Sequence, residues 1–135
     1  MKALDTNVLA RFFIDDPDDP EAASQRPAAI AALSERSFVP VTVLLEFEWV
    51  MRGFYGLAAT DIARVMLALA GIEHVSIEDR AGFLTAIDAF AQGMDFADAL
   101  HLARSSRASS FVTFDRRMAS RAKTLSDVPP VELLA

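Results

Sequence analysis

The chain opens Met1-Lys2-Ala3-Leu4-Asp5-Thr6-Asn7-Val8-Leu9-Ala10. Lys2–Asp5 has the length and apolar content of a short buried strand, and the apolar run stops at an acid. Thr6 or Asn7 is then suited to cap a helix predicted over Asn7–Ile14, because a short polar side chain accepts from the free N–H groups of a first turn. The alternation of strand and helix recurs along the chain. Phe38–Val41, His74–Ile77 and Ser110–Phe114 read as strands, and Val131–Leu133, after Pro129-Pro130, as a last edge strand. Helices are predicted over Pro20–Ser34, bent near Pro27, and over Thr42–Tyr55, Thr60–Ala70, Glu78–Gln92, Phe96–Ser106 and Arg116–Lys123. The apolar stripe of Thr42–Tyr55 is expected at Val43, Phe47, Val50 and Phe54, with Gly56 as its stop. Thr60 and Gly71 are the expected start and stop of the next helix. Strands separated by helices imply an α/β fold, with a small, mostly parallel sheet flanked by helices. Ligands of such sheets collect beyond the carboxyl ends of the strands, where Asp5 and Asp115 both stand.

The bulk properties narrow the field. With 135 residues, 53% of them hydrophobic, the chain is expected to form a single domain over 1–135. No apolar run approaches the roughly 20 residues of a membrane span, and an acid at position 5 interrupts any signal-peptide core. A soluble, cytoplasmic protein is the expectation. The absence of cysteine excludes disulfides and thiolate metal sites. A net charge of −6 argues against nucleic-acid binding by bulk positive charge. Yet residues 104–123 hold six of the thirteen basic residues and one acid, so a basic rim beside an acidic centre is equally open with a solvated helix surface. Asp15-Asp16-Pro17-Asp18-Asp19-Pro20 reads as a turn with a helix start. It lacks the spaced ligands and glycine of a calcium loop.

Four acids stand against apolar surroundings: Asp5, Glu46 within Val41–Met51, Asp98 at the head of Phe96–Ala103, and Asp115 after Ser110–Phe114. A carboxylate drawn from water pairs, binds metal or takes up a proton. With no obvious basic partners, the set points to a hard divalent cation. Such an ion lowers the pKa of water and stabilises charge at a phosphodiester. Each acid also has a plainer reading. Asp5 and Asp115 suit helix caps, and Asp95 with Asp98 suits a capping arrangement at a helix start. Glu46 and Glu48 flank the stripe of their helix, and periodicity does not choose between them. His74 and His101 read as structural, although His101 lies three residues from Asp98.

Together, Asp5-Thr6-Asn7, Leu44-Leu45-Glu46-Phe47-Glu48-Trp49-Val50, Asp95-Phe96-Ala97-Asp98-Ala99-Leu100 and Thr113-Phe114-Asp115 resemble the PIN domain, above all the VapC-type toxins of bacterial toxin–antitoxin pairs. The resemblance runs from Lys2 to about Lys123. It implies a three-layer α/β/α fold and a Mg2+-dependent endoribonuclease, with Mn2+ also suited. It places the metal-binding and catalytic acids on Asp5, Glu46, Asp98 and Asp115, and so leaves Glu48 to the surface. Supporting roles fall on Thr6, Asn7, Asp95 and Thr113, and Arg11, Arg116 and Arg117 are candidates for RNA contact. The resemblance also implies a homodimer and an inhibitory antitoxin of the VapB type. Trp49, Phe54 and Tyr55 are candidate surfaces for these partners, with core packing as the plainer reading. A non-catalytic RNA-binding or assembly module of the same fold is the alternative.

Overall fold

The computed structural model describes all 135 residues, which divide into two compact units, Met1–Arg80 and Ala81–Ala135. In the first unit, β1 (Lys2–Ala3), β2 (Ser37–Val39) and β3 (Val75–Ile77) form a parallel sheet in that order. The register pairs Lys2 with Ser37 and Ser37 with Val75. Its helices are α1 (Thr6–Phe13), α2 (Pro20–Leu33), α3 (Val41–Gly53) and α4 (Ala59–Ala70). Parallel neighbours need crossover connections, and the helices supply them. The core gathers Leu9, Leu33, Val39, Leu44, Phe47, Met51, Ile62 and Met66.

The second unit contains α5 (Arg80–Ala91), which begins at the last residue of the first, α6 (Phe96–Ala103), β4 (Phe111–Thr113), α7 (Arg116–Ala122) and β5 (Val131–Leu133). β4 and β5 are parallel, with Phe111 opposite Val131. Phe96 sits edge-on to both Phe83 and Phe90, at centroid distances of 6.4 and 5.6 Å. Such perpendicular ring contacts add to plain area burial.

Every predicted element is present, and the departures have local causes. Asp5, not Thr6 or Asn7, caps α1, its Oδ1 accepting from the Thr6 N–H at 2.8 Å. Thr6 is buried and its hydroxyl is used elsewhere. β1 is short and exposed rather than buried, as befits the end of its sheet; burial begins at Leu4. α2 continues through Pro27, capped by Asp19, whose Oδ1 accepts from Glu21 and Ala22 N–H groups. α4 begins one residue early, with no side-chain cap, so Thr60 lies inside it.

The stripe of α3 differs most. The buried positions are Leu44, Phe47, Glu48 and Met51, whereas Val43 and Val50 are half-buried and Phe54 is 70% exposed. The inward face is therefore rotated by about one residue, some 100°, from the stripe expected at Val43, Phe47, Val50 and Phe54. Leu44 and Met51 carry the burial, and Phe47 is common to both faces.

Candidate functional site

In the first unit, Asp5 follows β1 and Glu46 lies in the second turn of α3; both are exposed. The buried Thr6 hydroxyl donates to Glu46 Oε1 and anchors that carboxylate from the start of α1. Asn7 is exposed on α1. Glu48 is the buried acid of α3, only 2% exposed, and it is not the surface residue expected. Its Oε2 accepts from Arg52 Nε at 2.9 Å, one turn on. Sequence reasoning missed this pair, although the i,i+4 spacing of Glu48 and Arg52 was a legible signal. Arg11 is half-buried, donating from Nε to Gln25 at 3.0 Å and from Nη1 to the Tyr55 hydroxyl at 2.9 Å. It ties α1 to α2 and to the residues after α3. Core packing is wrong for two of the three aromatics in this region: Trp49 is 60% exposed and Phe54 is exposed too, while Tyr55 is half-buried.

A carboxylate also completes the start of α3. Pro40 occupies its cap position and has no side-chain acceptor, so Glu78, after β3, accepts from the Val41 N–H at 2.8 Å. His74 is structural, its Nε2 bonded to the Leu33 carbonyl.

In the second unit, Asp95 caps α6, its Oδ1 accepting from the Asp98 N–H at 3.2 Å. Asp115 caps α7 through Oδ1, which accepts from Arg117 and Met118 at 2.9 and 3.0 Å. The Thr113 hydroxyl accepts from the Asp115 N–H at 3.0 Å and fixes the turn from strand to helix. Asp98 is half-buried. Burial raises its pKa above the ordinary aspartate value, and the nearby charges of Asp95 and Asp115 raise it further, against a smaller opposing effect of His101. The His101 ring lies nearly parallel to Phe111, 12° between planes and 6.4 Å between centroids. Arg116 and Arg117 are exposed.

Capping and ligation are thus not exclusive readings of these acids. Asp5, Asp95 and Asp115 each commit Oδ1 to backbone N–H groups, and Glu46 commits Oε1 to Thr6. Their second oxygens take no hydrogen bond from the protein. Neither these four acids nor Asp98 joins a salt bridge; the three ion pairs are Arg26–Asp15, Arg52–Glu48 and Arg64–Asp61. No three His, Asp or Glu side chains are gathered closely enough to form a cage of their own. Carboxylate oxygens are the donor type that hard divalent cations take, usually one or two of them beside several waters.

No helix is long and apolar enough to cross a membrane. No curated protein and no solved structure matches the chain. The family model of the PIN domain matches residues 2–124, which take in every acid described above. Seven helices and short, all-parallel strands agree with that match, and the fold class is the three-layer α/β/α PIN-like one. The chain belongs to the PIN domain family.

Proposed function

We propose that the chain is a metal-dependent endoribonuclease of the VapC toxin type, working in the cytoplasm, with residues 1–135 acting as one domain. PIN domains are commonly nucleases, and the match makes a nuclease or RNA-related role the starting point. The observation that carries the finer reading is the half-used state of the acids. Each of Asp5, Glu46 and Asp115 is held by one oxygen and presents the other without a basic partner. Such a carboxylate is oriented through one oxygen and free on the other, as a metal ligand must be.

Asp5, Glu46, Asp98 and Asp115 would hold Mg2+ or Mn2+. When bound, such an ion lowers the pKa of the attacking water and neutralises charge at the scissile phosphate. The protein's own part is orientation. Thr6 fixes the Glu46 carboxylate, Thr113 fixes the turn that carries Asp115, and Asp95 holds the first turn of α6 beneath Asp98. Asn7, in the first turn of α1, is assigned the ordering of the loop after β1. Arg116 and Arg117 are the freer cations for RNA phosphates, because Arg11 already serves Gln25 and Tyr55.

A homodimer and an antitoxin of the VapB type are the proposed protein partners. The exposed Trp49 and Phe54 support such a contact, since large aromatics anchor interfaces.

The test is RNA cleavage in Mg2+ by the wild type beside Asp5→Asn and Asp98→Asn, which remove a charge with little change of shape. Each is expected to lose at least roughly a hundredfold in rate, the order of a lost electrostatic contact in catalysis. Equal rates would leave the non-catalytic PIN-like RNA-binding or assembly module as the better reading.

A further inference from the structure

Phe114 is 73% exposed, at the end of the stretch Ser110–Phe114 that reads as a strand in the sequence. It lies just past β4, and its neighbours are pinned. The Thr113 carbonyl accepts from the Leu134 N–H at 2.8 Å, the Thr113 hydroxyl from the Asp115 N–H, and Asp115 caps α7. A phenyl ring on so fixed a mount has only its own two torsions to lose on binding. Val112, two residues earlier on β4, is also exposed, at 50%. Arg116 and Arg117 follow directly, both exposed and in none of the salt bridges.

An exposed aromatic face beside unpaired cations is the arrangement by which proteins hold single-stranded nucleic acid, the ring stacking on a base and the cations meeting phosphates. We infer that Phe114 is a base-stacking platform for an unpaired nucleotide of the RNA substrate, with Arg116 and Arg117 on the adjoining phosphates. This rests on the ribonuclease reading, since Phe114 directly precedes the proposed ligand Asp115. Consecutive Cα atoms are about 3.8 Å apart, so the same turn carries Phe114 and Asp115, and a base stacked on Phe114 would lie near the cleaved bond. The enzyme would therefore require single-stranded or looped RNA at its cleavage site.

The test compares Phe114→Ala, Phe114→Leu and Phe114→Trp with the wild type. Fluorescence anisotropy of a labelled single-stranded RNA measures binding, cleavage in Mg2+ gives KM and kcat, and size-exclusion elution reports self-association. Phe114→Ala and Phe114→Leu should weaken binding and raise KM by roughly 5- to 150-fold, the range of one lost base stack. In both, kcat should stay within about twofold, and Phe114→Trp should restore affinity. Because Phe114 is exposed, none of the three should disturb the fold; circular dichroism checks this. Leucine matching the wild type would overturn the inference, because plain apolar contact would then suffice. A change of elution with unaltered RNA binding would overturn it too, by making Phe114 a protein contact. If the wild type binds RNA through Phe114 without cleaving it, the platform stands and the nuclease reading fails. If the Phe114→Ala variant binds and cleaves RNA as well as the wild type, the platform alone fails; no RNA binding at all sinks both.

Discussion

Glu46 and Glu48 stand two residues apart on one helix and do opposite work. Glu46 is exposed and held by Thr6, and Glu48 is buried against Arg52. Glu46→Gln keeps an acceptor for the Thr6 hydroxyl. It should alter unfolding free energy by less than about 0.5 kcal/mol while lowering Mg2+-dependent cleavage by at least about a hundredfold. Glu48→Ala should do the reverse. It leaves a hole and removes the Glu48 carboxylate that accepts from Arg52 Nε, and should cost about 1–3 kcal/mol in urea unfolding. The half-exposure of Arg52 keeps the loss below that of a fully buried pair. Asp98 gives a pH signature. Its folded-state pKa is raised by burial and by Asp95 and Asp115. The folded chain therefore holds this proton more tightly than the unfolded chain. Stability falls as pH climbs from the ordinary aspartate pKa through the raised one, and the charged form is destabilising above it. Asp98→Asn should accordingly raise Tm at pH 7 without metal, and the gain should fade as pH drops towards about 4. A Tm difference that ignores pH would refute this account.

The secondary elements owe their boundaries to acids. Asp5, Asp19, Asp95 and Asp115 cap α1, α2, α6 and α7, and Glu78 reaches α3, where Pro40 offers no cap. Three of these caps also sit where the proposed chemistry lies, so the placement of function and the start of helices share residues. The connection from α5 to α6 depends on Gly93. Its φ of +107° is a conformation that side chains avoid, and a Cβ there would run into the Arg121 guanidinium. The guanidinium can swing away at little cost, so backbone strain dominates. Gly93→Ala should lower stability by about 1–3 kcal/mol, read as a lower urea midpoint with an unchanged slope. These caps were legible from composition and spacing, because a cap is a contact within a few residues. The cap on α3 was not, because Glu78 is 37 residues from Val41.

Over the whole chain, net charge is −6, yet six of thirteen basic residues fall within 104–123. Binding of RNA should therefore depend on a few local cations rather than on bulk attraction. Each phosphate contact on a single strand contributes about −0.7 to the slope of log K against log salt. Arg116→Ala and Arg117→Ala should each reduce the magnitude of that slope by about 0.7. An unchanged slope in both would remove them from the interface.

Residue order alone carried the alternation of strands and helices, the parallel pairing and the family pattern of acids, because periodicity, caps and crossover rules act over short stretches or through chain connectivity. The folded chain settled matters of facing. It turned Leu44 and Met51 inward on α3, buried Glu48, exposed Glu46, and left Trp49, Phe54 and Phe114 in solvent. It also engaged Arg11 with Gln25 and Tyr55. Whether a side chain is buried depends on what distant segments pack beside it, and a helix turned by a single residue, about 100°, trades one face for another without any change in local pattern.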